Sequence, residues 1–301
     1  MLIAITGATG FIGKRFMELA AEGGHRFVVL ARRDPKAPGQ VRFLSWSAET
    51  KLDAETMKGV EAVVHLAGEP VAQRWSPEVK KHILQSRVEG TRSIVDAIDL
   101  AKGAVKVFVC ASAVGYYGPR GDETLTESSA PGTGYLPDVC VAWEAEADRA
   151  TRLGVRVAKL RIAMVLGREG GALKTMETPF KLGVGGVLAS GDQWMPWIHL
   201  DDMAKLILYA LENQQVSGVL NATSPNPVRN RDFTRIYASV LHRPAILPVP
   251  AFALRMLYGE MAQIILANQR VVPEAARKFG FVFQFPDLTM ALRQIYAKRL
   301  C

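Results

Sequence analysis

The sequence predicts a doubly wound α/β fold: a parallel sheet with helices on both faces and a smaller, mainly C-terminal lobe. Three observations carry this. Short apolar runs alternate with helical patterns through the first two-thirds of the chain. The runs are apolar at successive positions rather than alternately, as strands covered on both faces are. A glycine-rich turn follows the first run directly and opens a helix, as in a Rossmann-type unit.

The elements follow in order. "LIAIT" (2–6) reads as the first strand, and "FIGKRFMELAAEGG" as a helix with a glycine stop. "RFVVL" (26–30), "VRFLSW" (41–46) and "EAVVHLA" (61–67) read as the next three strands. The long helix after them has Ser76 as N-cap, Pro77 at its first position and Gly103 as its stop. "VKVFVCAS" (105–112) and "VRVAKLRI" (155–162) are strands on either side of a helix in "PDVCVAWEAEADRA" (137–150), which Asp138 would cap. Strand–helix alternation of this kind requires right-handed crossovers. Residues 167–197 are rich in glycine and poor in periodicity, and from about Pro225 the chain is helical and punctuated by proline. The expected division is a dinucleotide-binding domain over 1–166, rejoined by 199–224. The substrate lobe takes 167–198 and 225–301.

The composition of the 301 residues, 49% hydrophobic and 22% charged, is that of an ordinary globular protein, and no run is long and apolar enough to span a bilayer. "MLIAITGATGFIG" has no basic region before its apolar run, so it reads as a buried strand rather than a signal peptide. Cys110, Cys140 and Cys301 show no paired or metal-ligand spacing, which fits a reducing cytoplasm and no bound metal. The net charge of +8 comes from dispersed residues without interleaved aromatics. That argues against nucleic acid and leaves two readings, attraction of an anionic small molecule or a generally basic surface.

Gly7, Gly10 and Gly13 in "ITGATGFIG" let the backbone turn tightly and approach a pyrophosphate at the positive end of a helix. After the second strand, "LARRD" presents Arg32 and Arg33, which suit a 2′-phosphate and favour NADP(H). Asp34 keeps NAD(H) open through a bond to a ribose 2′-hydroxyl.

Gly7–Gly13, Arg32, "HLAGEP" (65–70) and "ASAVGYYG" (111–118) together resemble the extended short-chain dehydrogenase/reductase superfamily. "QSRVEGT" (85–91), "RIAMVLGREGGAL" (161–173), "PFKLGVGGVLASGDQWMPWIHLDD" (179–202), "GVLNATSPNPVRN" (218–230) and "RPAILPVPAFALRMLYGEMA" (243–262) narrow this. They are similar to its atypical epimerase family, also described as nucleoside-diphosphate-sugar epimerase-like, with a C-terminal domain of unknown function over about 246–293. Some of its members carry labels linked to cell division. The resemblance implies that Gly7, Thr9, Gly10, Phe11 and Ile12 hold the pyrophosphate and that Arg32 and Arg33 hold the 2′-phosphate. It implies that Leu66, Ala67, Gly68 and Glu69 line the path to the nicotinamide ribose. Arg87 would reach towards the cofactor and Val165 would pack near the nicotinamide; a surface ion pair and a plain core position are the other readings of these two.

Catalytic members of the superfamily carry a tyrosine and, four residues later on the same helix face, a lysine. The tyrosine moves a proton while the nicotinamide exchanges hydride. Here the helix offers Asp138 and Ala142, or one residue on Val139 and Trp143, and no register restores the pair. Ser112 survives at a strand end. Tyr116, Tyr117 and His199 are further candidate acids and bases, each with packing as its alternative, and Asp201 or Asp202 would cap the helix after His199. Trp194 and Trp197, with glycine-rich residues 183–191, are expected to close over a substrate. The expected activity is that of an NADP(H)-dependent oxidoreductase or epimerase acting on a small polar, nucleotide-sugar-like substrate. The alternative is a catalytically weak NADP(H)-sensing protein acting through a protein partner. The sequence names neither the substrate nor an oligomeric state.

Overall fold

A computed structural model describes residues 1–297. Cys301 and the last residues of the expected lobe lie outside the described residues. The strands are β1 (Leu2–Thr6), β2 (Arg26–Ala31), β3 (Gln40–Ser45), β4 (Ala62–His65), β5 (Val107–Ala113), β6 (Thr124–Leu125), β7 (Arg156–Ile162), β8 (Met164–Leu166), β9 (Trp194–Met195), β10 (Trp197–His199), β11 (Gly218–Ala222), β12 (Val228–Arg229) and β13 (Arg270–Val271). The helices are α1 (Phe11–Glu22), α2 (Pro77–Leu100), α3 (Tyr135–Asp148), α4 (Gly171–Lys181), α5 (Leu200–Glu212), α6 (Asn230–Leu241), α7 (Ala251–Tyr258), α8 (Ala262–Ile265), α9 (Glu274–Lys278) and α10 (Leu288–Tyr296).

Seven strands form one sheet in the order β11-β7-β5-β4-β1-β2-β3, with every pairing parallel. Alternate residues of each strand serve opposite faces. Ile3 and Ile5 pack with Phe16, Met17 and Ala20 of α1 and Met203 and Ile207 of α5. Ala4, Val28 and Val63 pack with Ile94 and Ile98 of α2 and Trp143 and Ala147 of α3. This two-sided burial explains the unbroken apolar runs. The strand order reverses direction between β1 and β4, so a crevice opens above their carboxyl ends.

Several local expectations change. Ser76 does cap α2, its hydroxyl accepting from Val79 N–H, with Pro77 at the first position. That helix ends at Leu100, and Gly103 follows in the turn with φ of +82°. Asp138 is not a cap: α3 begins at Tyr135 after Gly134, and Asp138 is exposed in its first turn. The earlier start is possible because Pro137 falls among the first positions, whose N–H groups have no helical partner. Neither Asp201 nor Asp202 caps α5. His199 does, its Nδ1 accepting from Asp201 N–H at 3.0 Å, while the Asp202 carboxylate accepts from the N–H groups of Gln284 and Phe285. The stretch read as aperiodic contains α4, whose pattern is broken by Pro179.

Beyond the sheet, Leu173 and Phe180 of α4, Phe233 and Tyr237 of α6 and Leu288 and Leu292 of α10 form a separate core. The glycine-rich run before β9 is spent on backbone packing: a Cβ on Gly186 would overlap the Leu247 carbonyl oxygen at 1.5 Å. Among the described residues no helix is long and apolar enough to cross a membrane.

Candidate functional site

The glycine turn is closed by a bond from Gly10 N–H to Gly7 O (3.0 Å). Gly7 has φ of +72°, and a Cβ on it would lie 2.8 Å from the Leu66 carbonyl carbon. A Cβ on Gly13 would lie 2.1 Å from Gly7 O, so α1 can pack this close only through glycine. Thr9 and Gly10 are exposed, and Phe11 and Ile12 open the helix. No side chain caps that helix and no acid stands in its first turn, whereas α2, α5 and α10 each have a side-chain cap. Free N–H groups at the positive end of a helix, beside a turn stripped of side chains, fit a pyrophosphate. Phe11 contributes backbone only. Its ring is packed against the turn before α4, where a Cβ on Gly167 or Gly170 would come within 2.5 or 2.6 Å of it.

Arg32 and Arg33 are exposed just past β2. Asp34, the acid that kept NAD(H) open, is occupied by its own loop: its Oδ1 accepts from Lys36 N–H (2.9 Å) and Gln40 Nε2 (2.8 Å). These bonds hold its pKa below the usual carboxylate range. Among the described residues no carboxylate pairs with either guanidinium, and both are available to a phosphate.

On the other side of β1, Thr6 Oγ1 accepts from Ala67 N–H (3.2 Å) and shares a hydrogen bond with His65 Nδ1 (2.7 Å). This chain binds the end of β1 to the loop after β4. His65 is fully buried, and burial first, then the nearby Arg87 charge, push its pKa down to about 3. Leu66 and Ala67 are half-buried and Gly68 is exposed. Glu69 N–H donates to Ser86 Oγ (3.0 Å), and its carboxylate accepts from Gln73. Arg87 reaches this loop from α2, donating from Nη1 to Glu69 O (3.0 Å) and Ile83 O (3.1 Å). Val165 is a core residue, 9% exposed and paired in register with Ile198.

The helix expected to carry tyrosine and lysine presents a different stripe to the end of β5. Leu136 and Cys140 face the loop after it, 3.6 and 3.9 Å from where a Cβ on Gly115 would stand. One turn further, Glu144 accepts from Ser112 Oγ at 2.6 Å. Glu144 also takes Arg161 Nε (2.8 Å) and Nη2 (3.0 Å) in a forked pair. Both residues are buried, at 6% and 3% exposure. Arg161 Nη1 donates to Tyr117 Oη (2.9 Å), which donates to Asn221 Oδ1 (2.7 Å). Burial pushes the Tyr117 phenol up to about 12.

The four candidate acids and bases therefore separate. Tyr117 has no exposure, its oxygen is committed on both sides, and it is a structural residue. His199 is also structural: Nδ1 accepts the α5 cap bond, so Nε2 carries the proton and donates to Gln294 Oε1 (2.9 Å), and burial lowers its pKa. Ser112 is 2% exposed and gives its proton to Glu144. Tyr116 is half-buried, with its ring 3.3 Å from the Arg161 guanidinium carbon, and its hydroxyl has no hydrogen-bond partner among the described residues.

Trp194 is half-buried, donates from Nε1 to Asp122 (2.7 Å), and lies beside the guanidinium groups of Arg229 and Arg270. Trp197 cannot line a substrate pocket. It is fully buried and donates to Asn226 O in the lobe core. Sequence reasoning missed Glu144, Arg161 and Gln269. The first two had a visible signal, since Lys159 and Arg161 stand at alternate positions of β7 among Val157, Ala158, Leu160 and Ile162, and cations buried there call for a carboxylate. Gln269 had none. From the C-terminal lobe it donates its amide to Val114 O and Gly118 O (2.9 Å each), holding both ends of the loop that carries Tyr116.

The family model described as "NAD dependent epimerase/dehydratase family" matches residues 3–222, from β1 through the last strand of the sheet. The chain belongs to this family. A second model, a domain of unknown function (DUF1731), matches residues 249–295. The family member is 43% identical over 306 residues to the epimerase family protein SDR39U1 homolog, chloroplastic, of Arabidopsis thaliana, covering 98% of this chain and 86% of that one. It is 37% identical to the epimerase family protein YfhF of Bacillus subtilis, covering 99% of each. It is similar in structure to human epimerase family protein SDR39U1 (isoform2), solved with NADPH. There the TM-score is 0.88 at 33% identity, over 98% of this chain and 99% of that one.

Proposed function

We propose that this family member binds NADP(H) and works as an oxidoreductase or epimerase-like enzyme on a small polar, nucleotide-sugar-like substrate in the cytoplasm. The observation that carries the cofactor choice is the β2 end: two exposed arginines unpaired among the described residues, with the adjacent acid held by Lys36 and Gln40. The NADPH bound by the human relative supports it. Bound there, NADP(H) supplies or accepts a hydride. Gly7, Gly10 and the first N–H groups of α1 hold the pyrophosphate, and Arg32 and Arg33 hold the 2′-phosphate. Tyr116 is the hydroxyl left to move a proton, and Gln269 positions its loop.

A second reading, a sensor that binds NADP(H) with little turnover, is favoured by one observation. The face of α3 turned to the loop after β5 carries Leu136 and Cys140, and no register of that helix supplies a tyrosine–lysine pair. Incubation of the NADPH-loaded protein with pooled cell metabolites separates the two. Net loss of NADPH absorbance with a pool supports an oxidoreductase, and formation of an epimer of a pool component on NADP⁺-loaded protein, read by NMR with no net change in cofactor, supports an epimerase, each abolished in Tyr116→Phe; neither change with any pool supports the sensor.

A further inference from the structure

Helix α7 is apolar on the side that faces water. Leu254 is its only buried residue, while Phe252, Arg255, Met256 and Leu257 are exposed. The loop before it runs beside the glycine-rich loop after α4. Val249 N–H donates to Val187 O (2.8 Å), and a Cβ on Gly183 would lie 3.6 Å from Pro244 Cγ. Leu182, Val184, Ile246, Phe252, Met256 and Leu257 thus fall in one region, each between 54% and 80% exposed. Apolar side chains gathered in this way mark a contact surface. Three of the seven residues from Pro244 to Pro250 are proline, with no N–H to lose its water.

Charge says what kind of surface meets it. From His242 to Gly259 the chain carries no acid, and Arg243 and Arg255 have no ion pair among the described residues. The acids at the rim are taken: Glu260 pairs with Lys80 and Glu177 with Lys181. A second copy of the chain is disfavoured, because a two-fold contact would set these arginines against themselves. Side chains this open project from a convex surface and line no groove for a partner helix or strand. A bilayer surface closes round a projecting apolar helix and offers phosphate to the arginines beside it.

We propose that α7 and the two loops at its base seat this protein on an anionic phospholipid bilayer. Phe252, Met256 and Leu257 enter the boundary between headgroups and acyl chains, and Arg243 and Arg255 meet lipid phosphate. The contact lies on the membrane surface and needs no spanning helix. It is continuous with the candidate site: Tyr258 and Met261 pack with Trp75 and Leu136, and Leu136 borders the loop of Tyr116. Nothing in this seating depends on the NADP(H) reading above.

Co-sedimentation with vesicles of phosphatidylcholine, alone or in equal parts with phosphatidylglycerol, tests it. Wild type sediments with the mixed vesicles and far less with phosphatidylcholine. Phe252→Glu with Met256→Glu weakens that binding about tenfold or more. Arg243→Gln with Arg255→Gln weakens it roughly 10- to 30-fold, and added salt weakens it further. Lys51→Gln with Lys102→Gln removes the same charge elsewhere on the surface and leaves binding within about threefold of wild type. All these side chains are exposed, and unchanged melting temperatures show the variants folded. Undiminished binding of Phe252→Glu with Met256→Glu overturns the proposal, as does an equal loss in the lysine and arginine pairs. No sedimentation with either vesicle overturns it in favour of an acidic protein. A dimer in light scattering that Phe252→Glu with Met256→Glu turns to monomer overturns it in favour of a second copy.

Discussion

Replacing Glu144 with alanine should cost far more stability than replacing Glu146, two residues along the same helix. Glu144 accepts from Ser112 Oγ, Arg161 Nε and Arg161 Nη2, and lies 3.9 Å from Lys159 Nζ. Its removal leaves Arg161, 3% exposed, with only neutral partners in Tyr117 Oη and Glu127 O. Lys159 keeps Asp148 at 2.7 Å and is compensated. Breaking one side of a buried pair typically costs about 3–5 kcal/mol, because the remaining charge stays buried without compensation. For a chain of this size about 2–4 °C of melting temperature accompanies each kcal/mol, so the expected fall is roughly 6–20 °C. Glu146 pairs with Arg92 and Arg149, whose side chains are 51% and 42% exposed, and Glu146→Ala should cost no more than about 1 kcal/mol. The two variants are compared with wild type by calorimetry or by urea unfolding followed through tryptophan fluorescence. A double variant, Glu144→Leu with Arg161→Met, should regain most of the loss, since removing both charges removes the uncompensated one. Equal melting of Glu144→Ala and Glu146→Ala would refute this account of the network.

Three further outcomes are expected. Wild type should bind NADPH more tightly than NADH, and Arg32→Ala should erase about 1.5–3 kcal/mol of that preference in titrations with both cofactors; equal affinities in wild type would defeat the assignment. His65 is held neutral, with its pKa near 3 against 6.5 unperturbed. The unfolded chain therefore takes up its proton first as the pH falls, and stability present above about pH 6.5 is lost towards pH 3. Over 6.5 − 3 = 3.5 pH units that amounts to about 5 kcal/mol at most. His65→Gln, which keeps a hydrogen-bonding group beside Thr6, should flatten the acid limb of a stability–pH curve; an unchanged slope would exclude His65 as its source. Trp143, 4% exposed against the α2 face of the sheet, should cost about 3–5 kcal/mol when replaced by alanine, measured by denaturant midpoint. A stable Trp143→Ala that had lost cofactor binding would give that residue a role in the site instead of the core.

The fold was legible because its signals are local. The central strands β1, β2, β4 and β5 are buried on both faces and show continuous apolar runs, and Gly7, Gly10 and Gly13 follow the first run directly. Arg32 and Arg33 were legible for the same reason, since they stand next to the end of β2. Helix caps were less so: Asp138 looks like a cap, but Pro137 fits inside the first turn and moves the start of α3 to Tyr135. Helix α4 was hidden by its glycines and by Pro179. The absence of a tyrosine–lysine pair was visible in the sequence, but the roles of the remaining polar groups were not. Tyr117 and His199 have suitable chemistry. What removes them from it are contacts with Asn221 and Gln294, 104 and 95 residues further along the chain. Ser112 is committed in the same way, to a carboxylate one helix away. Whether a hydroxyl or imidazole is free depends on which donors and acceptors the fold brings within 3 Å, and such pairings between distant segments leave no periodicity in the chain.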